Sequence, residues 1–309
     1  MTAGTGAWVS ATRSRLREVQ NNLLSTAMWA RESGADAQAT ELMLRGYRDL
    51  LDALYERDVP LAKLADDSDL LLHVHGPSAS GPSPRVSVLA RLLTHTRDQV
   101  TRLAKQLGGV TTIRVPASLD MGFVGVAGGS LFIGFSADAS EEGRLTREAV
   151  KVIADASWLV SENSGIAQLA ETIVDPAARD MAVAAVRHLS PSGQIGIREI
   201  EILGQQVAHP TSLTTETRRH ARGLMAQRVP STNEPVSFVG TVREVDLDAS
   251  RFEIRNVDGQ AEDVRCAHEL EEDDVKGLVD KRVRVRGTPE YGARNTVRLL
   301  WVDEVELLV

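Results

Sequence analysis

From Val236 onward the chain sets apolar residues at alternate positions in five short runs, and no other feature constrains its fold as strongly. Val236, Phe238, Gly240 and Val242 share one parity, Phe252 and Ile254 share a face in the second run, and Val264 and Cys266 follow in the third. Leu270, Val275 and Leu278 give a short helix an apolar side. Val283 and Val285 then mark a fourth strand, and Val297, Leu299, Trp301 and Val305 a fifth. The phase flips between Val242 and Val245, as a coiled, bulged first strand requires. Five strands with a helix between the third and fourth predict an OB-like β-barrel over residues 233–309. That helix argues against a small SH3-like barrel.

The pairing of the second and third strands follows from the same residues. An Asp258-Gly259 turn would set Ile254 opposite Asp263, apolar against acid. The offset that sets Ile254 opposite Val264 also pairs Phe252 with Cys266, Arg255 with Asp263 and Glu253 with Arg265. The second register is the expected one.

OB-like barrels that bind single-stranded nucleic acid need stacking aromatics and a positive groove on the outer face of strands two and three. Here that face is expected to carry Arg251, Glu253 and Arg255 beside Asp263 and Arg265, a self-neutralising lattice, while Phe238 and Phe252 fall on the core phase. Residues 235–309 hold 11 Arg and Lys against 17 Asp and Glu, and the whole chain carries a net charge of −8. Both figures disfavour a polyanionic partner. One basic stripe, Lys281, Arg282, Arg284 and Arg286, reads as the solvated outer face of the fourth strand, with nucleic-acid binding as the alternative.

Upstream the patterns are helical, then mixed. Residues 1–62 read as a helical hairpin: Leu16, Val19, Leu23 and Ala27 form one stripe, Asp36 caps the second helix, and Leu44, Tyr47, Leu51 and Leu54 form the other stripe up to a stop at Pro60. These stripes must pack on the rest of the chain or on a second copy. Residues 66–228 read as a central α+β domain. It contains a strand at DLLLHVH, a helix marked by Leu92, Val100 and Leu103, and a β-hairpin around AGGS. A helix marked by Val150, Ile153 and Val160 follows, then one capped by Asp175-Pro176, then a strand whose phase slips between Ile197 and Ile200, and a last short helix at TTETRRHARGLMAQ.

Candidate chemistry is sparse. His73 and His75 point to one side of their strand and form a candidate metal pair. Further ligands would have to come from His95, His188, His209, His220, His268 or remote carboxylates, and a polar strand face is the more ordinary reading. Gly122, Gly125, Gly128 and Gly129 form no phosphate loop, because no Gly-Lys-Ser/Thr follows. Ser130 lacks the second glycine of a nucleophile elbow, since Phe132 stands there. Acids between His268 and Asp274 suit the start of a helix, and Cys266, the single cysteine, reads as a small buried residue. No cofactor motif is present, and no cofactor is expected. Neither a signal peptide nor a membrane span is expected: the longest uncharged stretch, Met121–Ala137, is broken by five glycines.

The GGSLFIGF hairpin after an amphipathic helix, followed by TVREVDLDASRFEIRNVDG, resembles a loosely defined group of uncharacterised bacterial proteins that join an α/β module to a C-terminal OB-like barrel. The resemblance covers Asp69 to Val309 and carries over neither a catalytic residue nor a function; an antitoxin-like or defence-associated role is an expectation set beside it. The expected protein is cytoplasmic, α+β and non-enzymatic, a regulator or adaptor whose partner is another protein, with self-association through the N-terminal helices. Single-stranded nucleic-acid binding by the barrel is the alternative, and a metal-dependent hydrolase using His73 and His75 the third reading.

Overall fold

The computed structural model describes residues 7–80, 85–110, 116–127, 131–139, 141–194, 196–229, 233–247, 249–259, 263–292 and 296–308. Helices α1 (Ala7–Ser33) and α2 (Ala37–Ala53) form the predicted hairpin. Gly34, at φ +63°, turns the chain, and the Asp36 carboxylate accepts from the Ala39 N–H at 2.8 Å. Leu16, Val19 and Leu54 are buried in its seam with Tyr47 and Leu51, as the stripes require. Pro60 does not end the second helix. A π-helical segment, Leu54–Asp58, leads into α3 (Val59–Asp66), where Pro60 occupies the first turn and its missing N–H leaves no broken bond.

Strand β1 (Leu70–His75) is the middle of a five-stranded sheet. After α4 (Val86–Gly108) come β2 (Gly122–Ala127) and β3 (Leu131–Ser136), then α5 (Arg144–Ser161), α6 (Ile166–Thr172) and α7 (Pro176–Leu189). Strands β4 (Glu199–Leu203) and β5 (Thr211–Leu213) and helix α8 (Thr215–Met225) complete the domain. The order is β2-β3-β1-β4-β5, antiparallel throughout. Alternation sends Leu70, Leu72 and Val74 of β1, with Ile133 of β3 and Ile200 and Ile202 of β4, into one face. There they meet Val100 and Leu103 of α4, Ile153 and Leu159 of α5 and Val183 and Val186 of α7. On the other face Leu71 and Phe132 pack on Leu64 and Ala65 of α3, which mounts the hairpin on the sheet.

The Asp175 cap forms, with Oδ1 accepting from the Ala178 N–H at 2.8 Å. The phase slip between Ile197 and Ile200 has a simple origin: both are buried, but Ile197 lies ahead of β4, whose own residues alternate regularly. The AGGS turn falls on Gly128–Ser130, outside the described residues. The short elements α6 and β5 have no counterpart in the sequence reading.

Strands β6 (Val236–Asp246), β7 (Arg251–Arg255) and β8 (Val264–Ala267), helix α9 (Glu272–Lys276), and strands β9 (Arg282–Tyr291) and β10 (Val297–Leu307) make the C-terminal unit. The strands close in the order β6-β7-β8-β10-β9, with β8 and β10 parallel and the other pairs antiparallel. This is an OB-like barrel with a core of its own, built on Val242, Phe252, Ile254, Val264, Cys266 and Val285. Ile254 pairs with Val264, Phe252 with Cys266 and Glu253 with Arg265, the predicted register. A bulge between Val242 and Glu244 makes the expected phase flip.

Two expectations for the barrel fail. Leu270 lies ahead of α9 and is exposed. In β10 a bulge between Val297 and Leu299 reverses the phase, so Leu300 enters the barrel core while Leu299 and Trp301 turn outward beside Ala267.

Candidate functional site

The β7–β8 face through which an OB-like barrel would hold nucleic acid is turned against α7. Asp180 of α7 lies between two guanidiniums from the barrel: Arg251 donates to Oδ1 from Nη2 at 2.8 Å and from Nε at 3.0 Å, and Arg265 Nε donates to Oδ2 at 2.6 Å. All three side chains are buried. Burial alone would raise the Asp180 carboxyl, but the two guanidiniums outweigh it and hold it below the ordinary carboxylate value. The neighbouring Arg179 pairs with Glu290 of β9, which also accepts from the Trp301 indole N–H at 2.6 Å. Arg298 Nε donates to Asp175 Oδ2 at 3.0 Å. Leu299 and Trp301 share this seam with Val183 of α7 and Leu224 of α8.

The expected self-neutralising lattice is therefore half correct. Arg255 does pair within the barrel, with Glu253 at 2.8 Å and Asp263 at 3.4 Å. Arg251 and Arg265 are neutralised from outside it, by Asp180. A cleft between α4 and the barrel is lined by matched charges as well, with Arg102 3.4 Å from Glu244.

The basic stripe lies exposed along β9 and the residue before it. Arg282 reaches Asp258 at 2.8 Å and Arg284 reaches Glu306 at 2.6 Å, and the register sets Glu304 opposite Arg286. Acids thus face Arg282, Arg284 and Arg286; Lys281 precedes the strand.

The hairpin has the opposite character. Its inner stripes are filled, yet Leu42 is 72% exposed, Met28 62%, Leu24 59% and Trp29 56%. Among the described residues, Trp8, Leu24, Met28, Trp29, Leu42, Met43, Leu50 and Tyr55 are eight of the sixteen large apolar side chains left exposed. Half of the exposed apolar side chains thus sit on one small part of the chain.

His73 and His75 project from one face of β1, as alternation requires. The register sets Glu201 of β4 directly across from His73 and Glu199 across from His75. His73 Nδ1 lies 2.6 Å from Glu201 Oε2, and His75 Nε2 3.5 Å from Oε1. Burial lowers the His73 imidazole below its usual value, against the raising pull of its hydrogen bond to Glu201. Glu201 escapes the sequence reading because it is 128 residues away from His73. The available signal is the acid pair at alternate positions in EIEIL. Among the described residues, the other histidines take no part. His188 faces Asp246, His209 stacks on Trp158, His220 meets the Ser164 carbonyl, and His268 Nδ1 accepts from the Leu270 N–H.

Cys266 is buried in the barrel, and burial pushes its thiol up. Glu272, Asp273 and Asp274 occupy the first turn of α9, where the helix dipole favours them. Ser130, with Gly128 and Gly129, falls outside the described residues. No described helix is long and apolar enough to cross a membrane. No protein-family model, curated protein or solved structure matches the chain.

Proposed function

We propose that this is a non-enzymatic regulatory or adaptor protein that works through protein contacts, with the N-terminal hairpin as its contact surface. The observation that carries this reading is the concentration of exposed apolar side chains on α1 and α2. Apolar surface of this kind marks association sites, and tryptophan, tyrosine and methionine, all present here, are enriched at interfaces. The barrel supports the same reading. Its outer β7–β8 face is engaged by α7, and the basic stripe of β9 faces acids, so it suits a mount better than a nucleic-acid groove. The partner is another protein or a second copy of this chain. A cytoplasmic setting with an antitoxin-like or defence-associated role is the form of this reading that we favour.

The test compares the native chain with Leu24→Glu/Met28→Glu/Leu42→Glu, three surface changes that leave the hairpin seam intact. Sedimentation at high micromolar concentration and affinity capture from a bacterial lysate are the readouts. The native chain should self-associate or retain a defined partner, and the variant should do neither, with an unchanged circular dichroism spectrum. A monomer that captures nothing beyond what the variant captures would overturn the proposal. So would binding to anionic vesicles that needs the same three residues.

A further inference from the structure

The sheet face that α3 covers at Leu71 carries, at its other end, a group of polar side chains. Leu72 and Val74 of β1 enter the core, which leaves His73 and His75 side by side on the opposite face with ring centroids 3.8 Å apart. The antiparallel register brings Glu201 into the same row. One donor atom from each of the three residues lies within 4.8 Å of the other two. We propose that His73, His75 and Glu201 bind a divalent transition-metal ion.

The donor set decides the class of ion. Two imidazoles with one carboxylate suit zinc and its borderline neighbours, iron(II), cobalt and nickel, whereas calcium and magnesium require oxygen donors. The spacing is compatible with one ion. Ligand bonds of about 2.1 Å at tetrahedral angles put donor atoms about 3.4 Å apart, so closing the group takes side-chain shifts of at most about 1.4 Å. The frame is rigid where it needs to be. β1 is hydrogen-bonded on both sides, to β3 and β4, and the Phe132 ring stacks on His73 at 3.8 Å and 9°, which fixes its orientation.

A second observation points to a ligand. His75 Nε2 is buried and makes no hydrogen bond among the described residues, although Glu201 Oε1 stands 3.5 Å away. A buried ring nitrogen whose one polar contact is a long one to a carboxylate requires an explanation, and coordination supplies one. Glu199, across from His75, adds a further negative charge beside the group. The His75 and Glu201 side chains are each about one-third exposed, so an ion can enter and at least one coordination position opens to solvent. Three protein ligands with an open position is the arrangement of reactive zinc sites rather than of closed structural ones.

The full chain, stripped with a chelator and dialysed, is titrated with zinc chloride by calorimetry and with cobalt chloride by visible absorption. One ion per chain and a cobalt d–d band are expected. His75→Asn and Glu201→Gln should each weaken zinc binding by at least about tenfold, the loss that even outer-sphere partners produce. His209→Asn should bind as the native chain does. Native binding no tighter than that of the His75→Asn/Glu201→Gln double variant would overturn the site, as would an equal loss in His209→Asn. Should His75→Asn lose its native circular dichroism spectrum, Glu201→Gln, which keeps the side-chain shape, decides alone.

Discussion

Replacing Asp180 by alanine would leave two guanidiniums buried without their carboxylate. In the native chain Asp180 receives Arg251 at 2.8 Å and Arg265 at 2.6 Å in a seam where all three side chains are at most 9% exposed. Removing one partner of a buried ion pair costs about 3–5 kcal/mol, because the desolvated charge stays behind. Arg251 retains the carbonyls of Met225, Ala249 and Ser250, which soften its loss, so most of the penalty falls on Arg265. Asp180→Ala should therefore lose about 3–5 kcal/mol in urea unfolding followed by circular dichroism. Hydrogen exchange should place the loss in α7, β7 and β8. Adding Arg265→Met removes the stranded charge, so the double variant should be more stable than Asp180→Ala alone. The pH dependence has a definite sign. The Asp180 carboxyl is depressed in the fold, so its contribution is complete above the unfolded value of about 3.9 and fades as the pH falls below it. Asp180→Ala should flatten the stability curve in that acid range. A loss below about 1 kcal/mol, the range of exposed pairs, would mean that the two guanidiniums are not stranded in a dry seam.

Cys266, buried and with its thiol pushed up, should resist an aromatic disulfide reagent in the native state and react at once in denaturant; a fast native reaction would show that the barrel opens. Changing Lys281, Arg282, Arg284 and Arg286 to glutamate should leave fluorescence-anisotropy titrations with single-stranded oligonucleotides unchanged at about 150 mM salt, because the native chain is expected to show no appreciable binding there. Submicromolar native binding abolished by those four changes would instead favour a nucleic-acid reading of the barrel.

The barrel was legible because its strands show apolar parity, and β7 and β8 state their inner faces a second time by charge pairing. Ile254 against Val264 with Arg255 against Asp263 leaves a single acceptable register. The reading failed at Leu299 and Trp301, where a bulge reverses the phase of β10. An outer face that packs on another domain is as apolar as an inner one, and parity cannot tell them apart. Pro60 misled for a related reason, since a proline that cannot continue one helix is well suited to begin the next. The short runs α6 and β5 hold too few residues for a periodicity to appear. The partners that matter most, Glu201 for His73 and Asp180 for Arg251 and Arg265, are distant in sequence. Only the sheet order and the docking of α7 bring them together.

The outward turn of Trp301 gives the chain a built-in optical gauge. Its indole N–H is held by Glu290, and the guanidinium of Arg251 lies 5.3 Å from its ring centre, in a pocket that exists only while the barrel rests on α7. Lifting the barrel away would move this indole from a shielded site into water and shift its emission to the red. Trp8 and Trp29 are already exposed, and Trp158, stacked on His209, lies within the central domain. A spectral shift that precedes loss of secondary structure would therefore come chiefly from one residue and would register separation of the two units before either one unfolds.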